Sequence, residues 1–162
     1  MARILLVYYS RTGITRLLAK DIARRSGCDI EEIREVRSRD GVAGYARSLI
    51  DVLSKRHPAI EAPNKNPASY DLVVAGTPVW GSDISSPLRS YLAGNRGKFK
   101  RIAAFCTMGG SGGGKALGQL ALECEREPVA TLVLTHDEVE GGMYGAKAQS
   151  FVDQFAAQCT DA

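Results

Sequence analysis

The chain has 162 residues, 44% of them apolar and 24% charged, with a formal net charge of +3. That length fits one domain that buries a core without disulfides or metal. It contains no run of about 18 apolar residues that would span a bilayer, and so small a basic excess, with no dense basic tract, sets nucleic acid aside as a partner. The four cysteines, at 28, 106, 124 and 159, form no CxxC pair, so free thiols are expected rather than a zinc site or a redox dithiol.

Residues 3–9 are a nearly continuous apolar run, the pattern of a strand buried on both faces. The first ten residues lack the long apolar centre and small-residue cleavage site of a secretory leader, so a cytoplasmic location is expected. Ile14, Leu17, Leu18 and Ile22 recur at helical spacing, and Gly27 closes that helix. Residues 29–36 alternate loosely, as an edge strand would. Val42, Tyr45, Ala46, Leu49 and Leu53 mark a second helix, ended by His57-Pro58. Residues 59–69 hold two prolines and read as a surface connection, and 71–76 as a short buried strand. Ser85-Ser86-Pro87 predicts a capped helix start, with Leu88, Tyr91 and Leu92 on its inner face. A strand over 101–106 leads through a glycine-rich loop to a helix carrying Leu117, Leu120, Ala121 and Cys124. A fifth strand, 129–135, and a helix with Phe151, Val152 and Phe155 on one stripe complete the chain.

Alternating strands and helices predict an α/β fold as a single domain over 1–162. The expected core is a doubly wound, five-stranded parallel sheet in the order 2-1-3-4-5 with helices on both faces. Ligands of such sheets sit beyond the carboxyl ends of the strands, where the strand order reverses. The loops after residues 9, 76 and 106 are therefore the candidate site.

The first of these loops is Ser10-Arg11-Thr12-Gly13-Ile14-Thr15. Its hydroxyls and the free amides of a helix start suit a phosphate, and Gly13 allows close backbone approach. Arg11 adds charge or points to solvent, and the hydroxyls would equally serve as a plain helix cap. In the second loop, Thr77-Pro78-Val79-Trp80-Gly81, Trp80 offers a flat face for stacking, or else a core anchor. The third begins Cys106-Thr107-Met108-Gly109-Gly110, where backbone amides can reach the polar edge of a ring. For Gly113 and Gly114 a flexible crossover is the simpler expectation.

Competing motifs fit less well. There is no GxGxxG, and a receiver domain would need acidic residues where Ser10 and Gly76-Thr77 stand. Gly109 to Lys115 nearly matches a P-loop, but Ala116 replaces the hydroxyl that binds magnesium. Neither Cys106 nor Cys124 is followed by the arginine of a CxxxxxR phosphatase loop.

Tyr9-Ser10-Arg11-Thr12-Gly13-Ile14-Thr15 resembles the S/T-x-T-G-x-T phosphate loop of flavodoxins, with Ile14 where asparagine is usual. Asp71 to Gly81, followed by Ser86-Pro87-Leu88, is similar to the second FMN loop of the bacterial flavodoxin-like group. The resemblance implies FMN held by residues 10–15, by 77–81 wrapped about the ring, and by 106–110. Gly81 is the expected point at which a peptide reorients as the flavin changes redox state. No catalytic or metal-binding residue is assigned. The implied function is electron transfer with a redox partner protein or a small-molecule acceptor. The alternatives are a small FMN-dependent NAD(P)H:quinone-type oxidoreductase and a scaffold that has lost its cofactor. His57 and His136 are expected at the surface. Arg39, Asp40, Tyr45 and Arg47 fall in a segment similar to the same group, without an assigned role.

Overall fold

The computed structural model describes residues 1–37 and 40–160. Its centre is β1 (Ile4–Tyr8), whose side chains alternate between two apolar layers. Leu5 and Val7 enter one, Leu6 and Tyr8 the other, so the strand has no polar side. β1 pairs in parallel with β2 (Asp29–Glu32) on one flank and β3 (Leu72–Trp80) on the other. β5 (Ile102–Met108) and β6 (Thr131–Thr135) continue beyond β3. The two-residue β4 (Asp83–Ile84) folds back antiparallel onto the end of β3. The order β2-β1-β3-β5-β6 is the expected 2-1-3-4-5 once that hairpin arm is set aside.

Helices α1 (Ile14–Ser26) and α6 (Gly145–Thr160) cover one face, burying Leu18, Ile22, Phe151 and Phe155. Helices α3 (Ser86–Gly94) and α4 (Gly113–Cys124) cover the other, burying Leu88, Tyr91, Leu117 and Leu120. Gly27 ends α1 as expected, with φ at 68° and its amide donating to the Ala23 carbonyl.

Several elements differ from their sequence signals. The edge strand stops at Glu32 rather than residue 36, leaving a lone bridge from Glu35 to Ile60. β3 runs on through Pro78 to Trp80 where a loop was expected. Beyond Gly76 it has outrun β1, so the missing amide of Pro78 leaves no gap in that ladder. Ser85 occupies the N-cap position of α3 without making a side-chain cap. Instead its hydroxyl lies 3.0 Å from that of Thr77. A short helix, α5 (His136–Glu140), follows β6 at once, held by a capping box between Thr135 and Glu138.

The largest departure is α2 (Gly41–Leu53). Its apolar positions do recur at helical spacing, but they face outward. Val42, Tyr45 and Leu53 are 87%, 61% and 77% exposed, while Gly44, Ser48, Asp51 and Val52 are buried.

Candidate functional site

The first loop turns at Gly13, whose φ of 101° only glycine adopts without strain. Ser10, nearly buried, holds the turn: its Oγ accepts from the amides of Gly13 at 3.1 Å and Arg16 at 3.2 Å. The amides of Thr12, Ile14 and Thr15 have no partner among the described residues. They stand at the positive end of α1, so the loop offers preorganised donors for an anion. Ser10 thus serves the expected capping role, through its bonds to the Gly13 and Arg16 amides.

Thr15 links this loop to the third. Its hydroxyl lies 2.8 Å from that of Thr107, and both residues are buried. The second loop is a tight hairpin in which Gly81 and Ser82 both take positive φ, 55° and 63°, as two-residue turns between right-twisted strands favour. The third loop packs against it: a Cβ on Gly112 would fall 2.8 Å from Ser82 Oγ. Below the hairpin, Asp83 accepts from the fully buried Arg89 at 2.7 Å, and Arg89 also donates to Glu123. A charge this deep is tolerable only when paired, so Arg89 fixes the hairpin base to α4.

The three loops enclose an open cleft at the carboxyl ends of β1, β3 and β5. Arg11, Thr12, Ile14 and Thr15 line it from the first loop, and Pro78, Val79, Trp80 and Gly81 from the second. Thr107 is the contribution of the third. Among the described residues no carboxylate lines the cleft, and Arg11 is a cation in its wall, so the site is electrostatically suited to a negative group. Trp80 stands edge-on to Tyr9, ring centroids 5.6 Å apart and planes at 89°. Its indole is thereby braced in a fixed orientation at the cleft wall.

Other expected site residues lie outside this lining. Ser10 and Gly13 shape the first loop from behind. Thr77 is buried, its hydroxyl donating to the Pro78 carbonyl at 2.8 Å and accepting from the Ser85 amide at 2.9 Å. Cys106 sits in the core beneath α4, where burial alone pushes its thiol up to about 12. It is a packing residue, chemically quiet at neutral pH. Met108 is half-buried at the end of β5, and Gly109 and Gly110 are exposed. Gly113, expected to be merely flexible, is required by packing: a Cβ there would lie 2.4 Å from Val133.

Four further residues line the cleft that the sequence did not assign to it. Tyr45, Ser48 and Leu49 come from α2, and His136 from the first turn of α5. The Arg11 guanidinium lies 5.6 Å from the centre of the Tyr45 ring, an interaction that draws α2 toward the first loop. His136 belongs to the cleft, whereas His57 is exposed as expected. Arg47 bonds Glu35 at 3.2 Å, so it braces the start of α2. Arg39 falls outside the described residues. No helix among those residues is long and apolar enough to cross a membrane.

No curated protein sequence matches the chain. Among solved structures, the chain is similar to a flavoprotein in complex with FMN from Lactobacillus acidophilus NCFM. The TM-score is 0.69 at 21% identity, over 87% of this chain and 98% of that one. It is also similar to an NADH:FMN oxidoreductase in its apo form, with TM-score 0.63 and 14% identity over 98% of this chain and 90% of that one. Megasphaera elsdenii flavodoxin, in its two-electron reduced form, gives 0.53 and 17% over 93% and 98%. At such identities these likenesses speak for the fold. A family model described as Flavodoxin matches residues 3–135, and with that span covering all three loops, the chain belongs to the flavodoxin family.

Proposed function

We propose that the cleft holds FMN and that the protein is an electron-transfer flavoprotein. The observation that carries this reading is the placement of unpartnered amides, of Thr12, Ile14 and Thr15, at one end of a cleft whose other wall is the braced Trp80. The amides and Arg11 would take the phosphate, and the indole would stack on the isoalloxazine. Bound FMN supplies the redox chemistry, and the protein sets its orientation, potential and exposure. Gly81, already in a left-handed conformation, would let the peptide beside the ring reorient without the penalty of a side chain. The likeness to a flavoprotein crystallised with FMN supports the choice of mononucleotide.

A second reading, a small NAD(P)H:quinone-type oxidoreductase, is favoured by His136 and Tyr45 at the cleft wall. Both offer exchangeable protons near the ring position, and one structural relative is an NADH:FMN oxidoreductase.

The purified chain is expected to be yellow, with FMN released on denaturation and identified by mass. In Trp80→Ala, FMN affinity is expected to fall by on the order of 10- to 100-fold, about 1–3 kcal/mol, in a fluorescence-quenching titration with circular dichroism unchanged. Unchanged affinity refutes the stacking role. Two resolved one-electron steps in a reductive titration support the carrier. Rapid NAD(P)H oxidation with a quinone, absent without protein, favours the oxidoreductase.

A further inference from the structure

Helix α2 is amphipathic the wrong way round for a lone chain. Val42, Tyr45, Ala46, Leu49, Ile50 and Leu53 occupy one arc of roughly 140°, and every one of them is exposed. The helix turns Gly44, Ser48 and Asp51 toward its own protein. Within the outward arc, Val42, Ala46, Leu49 and Leu53 follow each other at spacings of four, three and four. That is the seam a second helix packs into, with Tyr45 and Ile50 flanking it and Ala46 allowing close approach.

We propose that α2 is a homodimer interface, packing against α2 of a second copy across a two-fold axis. A single seam repeated on both partners is self-complementary, as a two-fold contact requires. The exposed fractions of the five large side chains, 87%, 61%, 44%, 50% and 77% in chain order, correspond to an area on the order of 500 Å² per chain. Pairing would bury about 1,000 Å² in all, the lower bound of a specific interface, whereas a lone chain would show a large apolar patch to water.

The charge pattern favours a second copy over other occupants. The arc carries no charged residue, and transient redox partners dock through charged patches. An anionic membrane would need available cations around the arc. Arg47 and Arg56 are instead paired within the chain, with Glu35 at 3.2 Å and Asp51 at 3.9 Å, which leaves the exposed Lys55 at the end of the helix, one ammonium where stable attraction to anionic lipid needs several. Tyr45 and Leu49 also line the cleft, so the partner's helix would stand at its mouth. The inference itself rests on the helix and not on which ligand the cleft takes.

Sedimentation equilibrium of the full chain with FMN present decides it. At about 100 µM, the expected mass is twice that of one 17.4 kDa chain. Leu53→Asp and Val42→Asp, both away from the cleft, are expected to raise the dimer dissociation constant by on the order of 100-fold, with helical circular dichroism retained. The neutral exchanges Leu53→Ala and Val42→Ala shift it in the same direction and cover the case in which a charge disturbs folding. A monomer at about 100 µM overturns the proposal, as does a dimer that survives all four exchanges. A monomeric wild type that co-sediments with phosphatidylglycerol/phosphatidylcholine vesicles overturns it too, and assigns the arc to a lipid surface.

Discussion

Gly76 sits where β3 leaves its partner β1 and starts toward the cleft, and Gly76→Ala sets two physical effects against each other. By strand propensity alone, alanine in a strand interior is favoured over glycine by roughly 0.5–1 kcal/mol. Sterics give the opposite sign. A Cβ on Gly76 would lie 2.1 Å from Cζ of Phe105 and 2.6 Å from both its Cε atoms, where carbons in contact keep about 3.5–4.0 Å. The ring has to retreat by about 1.5 Å. Phe105 is completely buried and packs edge-on to Phe151, centroids 6.3 Å apart, so that movement propagates into α6. Overpacking of this kind costs about 1–3 kcal/mol, and the size of the overlap puts the net loss near 2 kcal/mol after the propensity gain. Urea unfolding followed by circular dichroism measures it. In a Phe105→Leu background the same exchange is expected to cost little, giving a coupling of about 2 kcal/mol in the double-mutant cycle. A Gly76→Ala protein as stable as wild type, or a cycle with no coupling, refutes the argument.

Arg89→Met leaves Asp83 and Glu123 without their shared cation, and is expected to cost about 3–5 kcal/mol. Because Asp83 is the foot of the Gly81–Ser82 hairpin, FMN affinity should fall with it; loss of stability with full FMN affinity would separate the hairpin from the site. Glu138 provides a pH test. The ammonium of Lys147, then the amide of Thr135, hold its carboxyl below the usual glutamate range, against a smaller opposing effect of desolvation. A depressed folded value contributes stability that is present above the unfolded glutamate range and is lost as pH falls through the folded one. Wild type is therefore expected to exceed Glu138→Gln in urea midpoint near about pH 7 and to converge with it near about pH 3. A gap of constant size across that range would show that packing rather than charge is responsible.

The parallel sheet was legible because its central strands are apolar without interruption, and burial on both faces is the one environment that allows this. The position of the site followed from strand order, which points to the loops after β1, β3 and β5 before any side chain is considered. Hydrophobic pattern is blind to which side chains the cleft receives. Adjacent strand residues point to opposite faces, so Cys106 and Thr107 could not both present side chains to the cleft: Thr107 turns to Thr15, and Cys106 into the core under α4. His136 was recoverable from the same topological rule, being the first residue beyond β6, and Thr135-His136-Asp137-Glu138 carries a capping-box signature that announces α5. Tyr45, Ser48 and Leu49 carry no such signal. They reach the cleft because α2 crosses above the end of β3, a tertiary placement with no local trace.

Helix α2 shows why. Hydrophobic periodicity establishes that one side of a helix avoids water; it does not say what that side meets. In α1, α3, α4 and α6 the apolar stripe meets the sheet, since those helices lie over it. Helix α2 lies toward the carboxyl edge instead, where β3 extends past β1 into a hairpin, beside the polar first loop. Buried Asp51 and Ser48 are acceptable there because each has its hydrogen bonds or ion pairs within the chain. The apolar stripe is thereby freed to face outward, beside the cleft. One arrangement thus accounts for two features the sequence held separately: a cleft with an aromatic from α2 in its wall, and a helix whose 4-3-4 seam has no partner among the described residues.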